Sequence, residues 1–146
     1  MSNFDLNDFN RNLIADLRAH GGRATGGPFE GRPVLILTTT GAKTGELRES
    51  PLVYSQQGDR LVIAASKAGA DTHPAWYHNL VANPEVTVEV LGERYAARAK
   101  VYAEANEERR RIYDEHAKLG PAFKEYEAKT SRVIPAVALE RVRQTA

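Results

Sequence analysis

Pro33-Val-Leu-Ile-Leu-Thr-Thr-Thr-Gly-Ala-Lys-Thr-Gly-Glu-Leu-Arg-Glu-Ser-Pro-Leu-Val-Tyr-Ser55 is the stretch whose reading decides the fold. Pro33–Thr40 is an apolar, β-branched run, Gly41–Gly45 a turn, and Leu47–Ser55 a second run of strand character. Downstream, Gln57-Gly58-Asp59 is a turn and Arg60–Ala65 a third strand. Ser66–Thr72 reads as a loop. Pro74, at the first helical position, opens a short helix Pro74–Ala82, which Asn83-Pro84 stops. Val86, Val88 and Val90 alternate with Thr87 and Glu89, so Glu85–Leu91 is a half-buried strand. A Gly92-Glu93 turn leads to Arg94–Ala103, a further strand. Asn106–Leu119 is a charged amphipathic helix ended by Gly120-Pro121, Ala122–Lys129 a short helix, and Val133–Leu139 the last strand. Six strands joined mostly by tight turns argue for antiparallel pairing, because parallel crossovers need a longer helix between strands. The expectation is an α+β domain built on a small closed or split six-stranded barrel, since closure removes exposed edges.

Upstream, residues 4–20 place Phe9, Leu13 and Leu17 on one helical stripe with Leu6 and Ile14 beside it. This amphipathic helix ends at Gly21-Gly22, and Gly26-Gly27-Pro28 continues as a linker. The chain therefore divides into a helix and linker, 1–28, and a barrel domain, 29–146. The helix either packs on its own domain or touches lipid or a partner, and its pattern leaves both open. With 146 residues, 42% hydrophobic and 27% charged, the chain is globular and long enough to bury a core. A net charge of +1 supplies no global field toward nucleic acid, so any anion must be gripped by local basic groups. No cysteine is present, which removes disulfides, thiolate catalysis and cysteine zinc sites. The polar, acidic Met1–Asn12 is not a signal peptide, and no apolar run approaches a membrane span. The expectation is a cytoplasmic monomer or homodimer, with peripheral contact at the inner membrane face open through the first helix.

Three segments carry chemistry. Thr38–Arg48 crowds Lys43, Arg48, hydroxyls and two glycines around one turn. Glycines let backbone approach a ligand and expose N–H groups to an anion, while Lys43 adds a point charge and Arg48 a planar fork suited to phosphate. It is not a Walker loop, because the spacer and following helix are missing. A hairpin with merely solvated cations has the same spacing, and the turn alone does not choose between them. Ala64-Ala-Ser-Lys-Ala-Gly69 follows a strand end, where small residues leave room for a flat ring beside Ser66 and Lys67. His73-Pro-Ala-Trp-Tyr-His-Asn-Leu80 holds the sole Trp, read either as a core anchor or as the wall of a pocket. His73 and His78 are spaced wrongly for a helical metal pair, so no metal is expected. No serine elbow, zincin motif or dinucleotide fingerprint appears. Glu107–Ile112 reads as a solvated helix face, His116 as a surface residue, and His20 as a cation at a helix end.

Together, Leu37–Gly45, Arg48-Glu-Ser-Pro-Leu52, Ala64–Lys67 and Pro74–Pro84 resemble the deazaflavin-dependent nitroreductase family of actinobacteria, over about Pro33 to Val142. The resemblance implies a split β-barrel of the flavin-reductase and pyridoxamine-phosphate-oxidase type, an F420-dependent oxidoreductase with reduced F420 as hydride donor to a quinone, nitroaromatic or similar planar acceptor. FMN on the same barrel, or a non-catalytic F420 carrier, are the alternatives. It further implies that Lys43, Thr44 and Arg48 hold the phosphate and acidic tail. Ser50, Pro51, Leu52 and Val53 would form the strand beneath the deazaflavin. Ala64, Ala65, Ser66 and Lys67 would meet the ring edge and tail, and Ala75, Trp76, Tyr77, His78 and Asn79 the remaining wall. Ser66 is the candidate hydrogen-bond donor at the reacting end, and Tyr126 or Tyr54 would cover the substrate or deliver a proton. Where the nitroimidazole-activating members carry several tyrosines, this chain keeps Tyr126 but has Phe123, and Val53 stands where they have a Tyr. Cofactor binding should therefore carry over better than nitroimidazole turnover, with quinones the more plausible acceptors.

Overall fold

The computed structural model describes residues 6–142, and of Leu6 the backbone alone. The chain runs α1 (Leu6–Ala19), β1 (Val34–Thr40), β2 (Leu47–Val53), β3 (Ser55–Gln57), β4 (Arg60–Ala64), α2 (Ala75–Ala82), β5 (Glu85–Val90), β6 (Glu93–Tyr102), α3 (Glu107–Ala117), α4 (Ala122–Lys129) and β7 (Ala136–Arg141). One antiparallel sheet takes all seven strands in the order β2-β1-β5-β6-β7-β4-β3, curled into a half-barrel.

The expected six strands are seven. Leu47–Ser55 breaks at Tyr54, whose N–H donates to Pro33 O at 3.0 Å, and Ser55 then pairs with Val62 on the other side of the sheet. The two edge strands are thus joined by a single residue, so the curl brings the edges round without sealing them. Two further boundaries move for proline reasons. Pro74 takes the extended conformation of the N-cap (φ −67°, ψ 155°) and α2 begins at Ala75. The last strand starts at Ala136, not Val133, because Pro135 has no N–H to give a ladder and Ile134 O is already taken by Arg109.

Alternation sorts the strands onto two faces. Leu35, Leu37, Leu61, Ile63, Val86, Val88, Ala97, Ala99, Val137 and Leu139 fill the interior, with Trp76, Tyr77 and Leu80 of α2 lying among them. On the outer face Val34 and Ile36 meet Leu13, Ile14 and Leu17 of α1. The apolar stripe of α1 is therefore spent on the protein's own sheet. Arg18 reinforces the docking by pairing with Glu89 at 2.7 Å and with Glu49. Residues 4 and 5 of the expected helix lie outside the described residues. Among the described residues, no helix is long and apolar enough to cross a membrane.

The helix expected to be a solvated face is only partly so. Arg110 makes the i,i+4 pair with Asp114 at 3.1 Å, but Arg109 is 3% exposed and His116 is fully buried. Arg109 donates through Nε and Nη2 to Ile134 O and through Nη2 to Glu127. His116, expected on the surface, shares a 2.8 Å hydrogen bond with Ser55 Oγ through Nδ1 and packs edge-on to Phe123. Both sit on the side of α3 that covers β3, β4 and β7, where burial wins over residue type.

Candidate functional site

Every pairing is antiparallel, so β1 and β4, four ladders apart, run in the same direction. Their C-terminal ends therefore open at one end of the half-barrel. That puts the Gly41–Gly45 turn and the Ala64–Gly69 segment at the same mouth, with α2 connecting the second of them to β5. Asn79 of α2 makes the link. Its Oδ1 accepts from Ala42 N–H at 3.0 Å, and its Nδ2 donates to Thr39 Oγ1 at 3.2 Å. Asn83 adds Nδ2 to Thr40 O at 3.4 Å.

The turn itself is tightly closed. Gly41 N–H donates to Glu46 O at 2.7 Å, Gly45 N–H to Gly41 O at 3.0 Å, and Thr44 Oγ1 accepts from Glu46 N–H at 3.2 Å. A Cβ on Gly41 would lie 2.8 Å from Thr44 Oγ1 and 3.1 Å from Glu46 O, so a larger residue there would force the Thr44 side chain to move. Gly41, Ala42 and Gly45 thus spend their N–H groups inside the protein. The side chains of Lys43, Thr44 and Arg48 are all exposed there, where they can meet a ligand. Arg48 rests 3.2 Å from Glu46, an exposed pair that water screens and a phosphate can displace.

On β2 the register places Arg48 opposite Thr39, Ser50 opposite Leu37 and Leu52 opposite Leu35, so these share the interior face. Pro51 and Val53 point the other way, opposite Ile36 and Val34. The four strand residues expected beneath a ring therefore divide between two faces. β4 divides likewise: Ala65 belongs to the interior cluster, while Ala64 packs outside with Phe123, Tyr126 and Val53. Phe123 and Tyr126 meet edge to face at 5.9 Å between ring centres. Tyr54 lies elsewhere, with Leu52 and Tyr95 against the interior cluster, and burial raises its pKa.

After Ala65 the chain turns sharply. Ser66 is right-handed (φ −77°, ψ −37°), while Lys67, Ala68 and Gly69 are left-handed (φ 46°, 54° and 82°). Such an αR–αL succession turns neighbouring N–H groups to one side, the geometry of an anion nest. Lys67 and Ala68 are exposed, and Lys67 Nζ donates to Thr72 Oγ1 at 3.2 Å. Ser66 makes no side-chain cap, which leaves its hydroxyl for a ligand. On α2, Ala75 and His78 are exposed while Trp76 and Tyr77 are each 8% exposed within the interior cluster. His73 lies tilted against Tyr77 with ring centres 4.6 Å apart, and burial, then Arg132 and His78, lower its pKa. Among the described residues no group of three His, Asp or Glu side chains could hold a metal.

The donor set suits a flat, anionic cofactor. Lys43, Arg48, Lys67 and a nest-like turn would take an acidic tail at the rim, and Val53 and Ala64 leave low relief for a ring on the face where Phe123 and Tyr126 pack. One residue absent from the sequence reading is Arg132, whose guanidinium is spent on the Ser66–His73 loop. A lone Arg ahead of an apolar strand carries no local signal that would have exposed it.

Comparison with known proteins now bears on that donor set. The family model described as F420H(2)-dependent quinone reductase matches residues 9–141. An F420H(2)-dependent quinone reductase of Mycobacterium tuberculosis is 38% identical over 122 residues, 83% of this chain and 79% of that protein. A solved F420-H2 dependent reductase, FDR-A, is 35% identical, with a TM-score of 0.67 over 75% of this chain and 95% of its own. A chain solved as a domain-swapped dimer is 31% identical, with a TM-score of 0.69 over 93% of this chain and all of its own.

Proposed function

This chain belongs to the F420H(2)-dependent quinone reductase family, and on that premise we propose that it transfers a hydride from reduced F420 to a planar acceptor of quinone or nitroaromatic type. The observation that carries the reading is the pair of basic segments, Lys43–Arg48 and Ser66–Lys67, brought to one mouth, the first of them held to α2 through Asn79. Bound F420H2 supplies two electrons and a proton together as hydride, and the acceptor takes its second proton from solvent or a nearby hydroxyl. Everything else is orientation. Lys43, Thr44, Arg48 and Lys67 grip the anionic tail. Val53 and Ala64, on the outer face with Phe123 and Tyr126, would lie beneath the ring, with Ser50, Leu52 and Ala65 backing them from the interior, and Ser66 Oγ would hydrogen-bond at the ring's reacting edge. Phe123 and Tyr126, packed beside Ala64 and Val53, form the acceptor side, where the Tyr126 hydroxyl is the available proton donor. Trp76 and Tyr77 support this frame from the interior, Pro51 shares the outer face with Val53, Ala75 and His78 stay exposed on α2, and Tyr54 stands apart from the acceptor side.

Loss of F420H2 absorbance on adding menadione tests the activity. Absence of F420 binding at micromolar concentration overturns it. FMN use predicts a yellow protein as purified, so a colourless protein without FMN on mass analysis removes that alternative. Tight F420 binding with no turnover across an acceptor panel would instead mark a carrier. A homodimer is supported by the domain-swapped relative and is read directly from light scattering.

A further inference from the structure

Arg132 lies between α4 and β7, and its guanidinium reaches back to the loop that follows β4. Nε donates to Ala70 O at 2.7 Å, Nη2 donates to Ser66 O at 2.8 Å, and Nη1 lies 3.0 Å from His73 Nδ1. The same short stretch ties the loop again, through Thr130 Oγ1 to the Asp71 carboxylate at 2.8 Å. Gly69 presses on α4 so closely that a Cβ there would lie 3.0 Å from Tyr126 O and from the Lys129 side chain. Between these ties the backbone is strained, because Lys67 and Ala68 carry Cβ atoms yet sit at φ 46° and 54°. Such a conformation persists only where its surroundings over-determine it.

We propose that Arg132 is a positioning residue that holds the Ser66–Ala70 loop in its strained, left-handed conformation so that Ser66 and Lys67 meet the cofactor. This rests on the F420 reading of the same mouth. One guanidinium draws in the carbonyls at both ends of the loop, Ser66 O and Ala70 O, and so pins the turn from beneath. Lys67 and Ala68 are left exposed on the rim. Only the planar fork of arginine can satisfy both carbonyls and His73 together, since a lysine ammonium is a single point on a flexible stem. The clamp also joins the loop to the Tyr126 end of α4, so the tail grip and the acceptor side share one support.

The test uses the full chain with Arg132→Ala and, in case that variant fails to fold, Arg132→Lys. Amide hydrogen exchange without cofactor is followed across residues 66–73, and F420 is titrated by fluorescence. Exchange at 66–70 should quicken in both variants while the sheet amides stay protected. F420 affinity should fall by about tenfold or more, with the menadione KM unchanged, and millimolar guanidinium should restore part of the affinity of Arg132→Ala. Unchanged exchange at 66–70 overturns the clamp. A loosened loop with wild-type F420 affinity overturns its service to the cofactor. If the wild type takes up no F420, the cofactor reading falls instead, and the exchange comparison alone decides the clamp.

Discussion

His116 is fully buried, with Nδ1 on Ser55 Oγ, the Phe123 ring 4.6 Å away, and Nε2 without a hydrogen bond. Burial pushes its pKa down to about 4 from an ordinary 6.5. In the unfolded chain the ring binds a proton below pH 6.5, whereas in the folded chain it does not until about pH 4. The unfolded state thus holds more protons in that window, and stability rises with pH across it. The contribution is fully present above pH 6.5 and is lost progressively as pH falls toward 4, with an upper magnitude of about 3 kcal/mol. Denaturant unfolding at pH 7.5 and pH 5 should show this loss, and His116→Gln should flatten the pH dependence. An equally steep dependence in the variant would place its origin elsewhere. At the mouth, Lys43→Ala or Arg48→Ala should each weaken F420 binding by roughly 1–3 kcal/mol, as lost charge-assisted bonds do. Titrations of equal affinity would move the tail away from this turn.

At the scale of elements, α1 and α2 make opposite use of apolar residues. α1 covers the outer face of β1, with Leu17 1% exposed against Val34 and Ile36, while α2 closes one end of the half-barrel with Trp76 and Leu80. Leu17→Ala should therefore destabilise the fold by about 2–5 kcal/mol, read as a lower denaturation midpoint with an unchanged slope. A cost below about 0.5 kcal/mol would mean that α1 is not docked as described. The α1–β5/β6 junction is equally specific about backbone. Gly22 has φ 90° and its Cβ would sit 2.5 Å from Leu91 N and Cα, so Gly22→Ala should destabilise by about 1–3 kcal/mol in the same assay. These element types were legible from periodicity, as the α1 stripe and the Val86–Val90 alternation show. The Tyr54 break was not, because it depends on where the partner strands lie rather than on any property of Leu47–Ser55.

At the scale of the whole molecule, the half-barrel supplies a rigid mouth and little reactive chemistry of its own. The acceptor preference should follow from that. With Phe123 and Val53 beside Tyr126, menadione should be reduced more readily than a nitroimidazole, measured as kcat/KM with F420H2 in excess. A nitroimidazole turned over as fast as the quinone would contradict it. The sequence by itself determined the strand-turn grammar, the helices and the place of the basic turn, because alternation, turn glycines and residue charge are local properties. It also carried the family resemblance, since motif order survives in the chain whatever the fold. Only the tertiary structure decided that the edge strands part at Tyr54, that Arg109 and His116 are interior, and that Pro51 and Val53 turn from the face of Ser50 and Leu52. It alone decided that Arg132 holds the loop bearing Ser66 and Lys67. Each of these depends on contacts between residues far apart in the chain, where packing overrides what a residue type prefers alone.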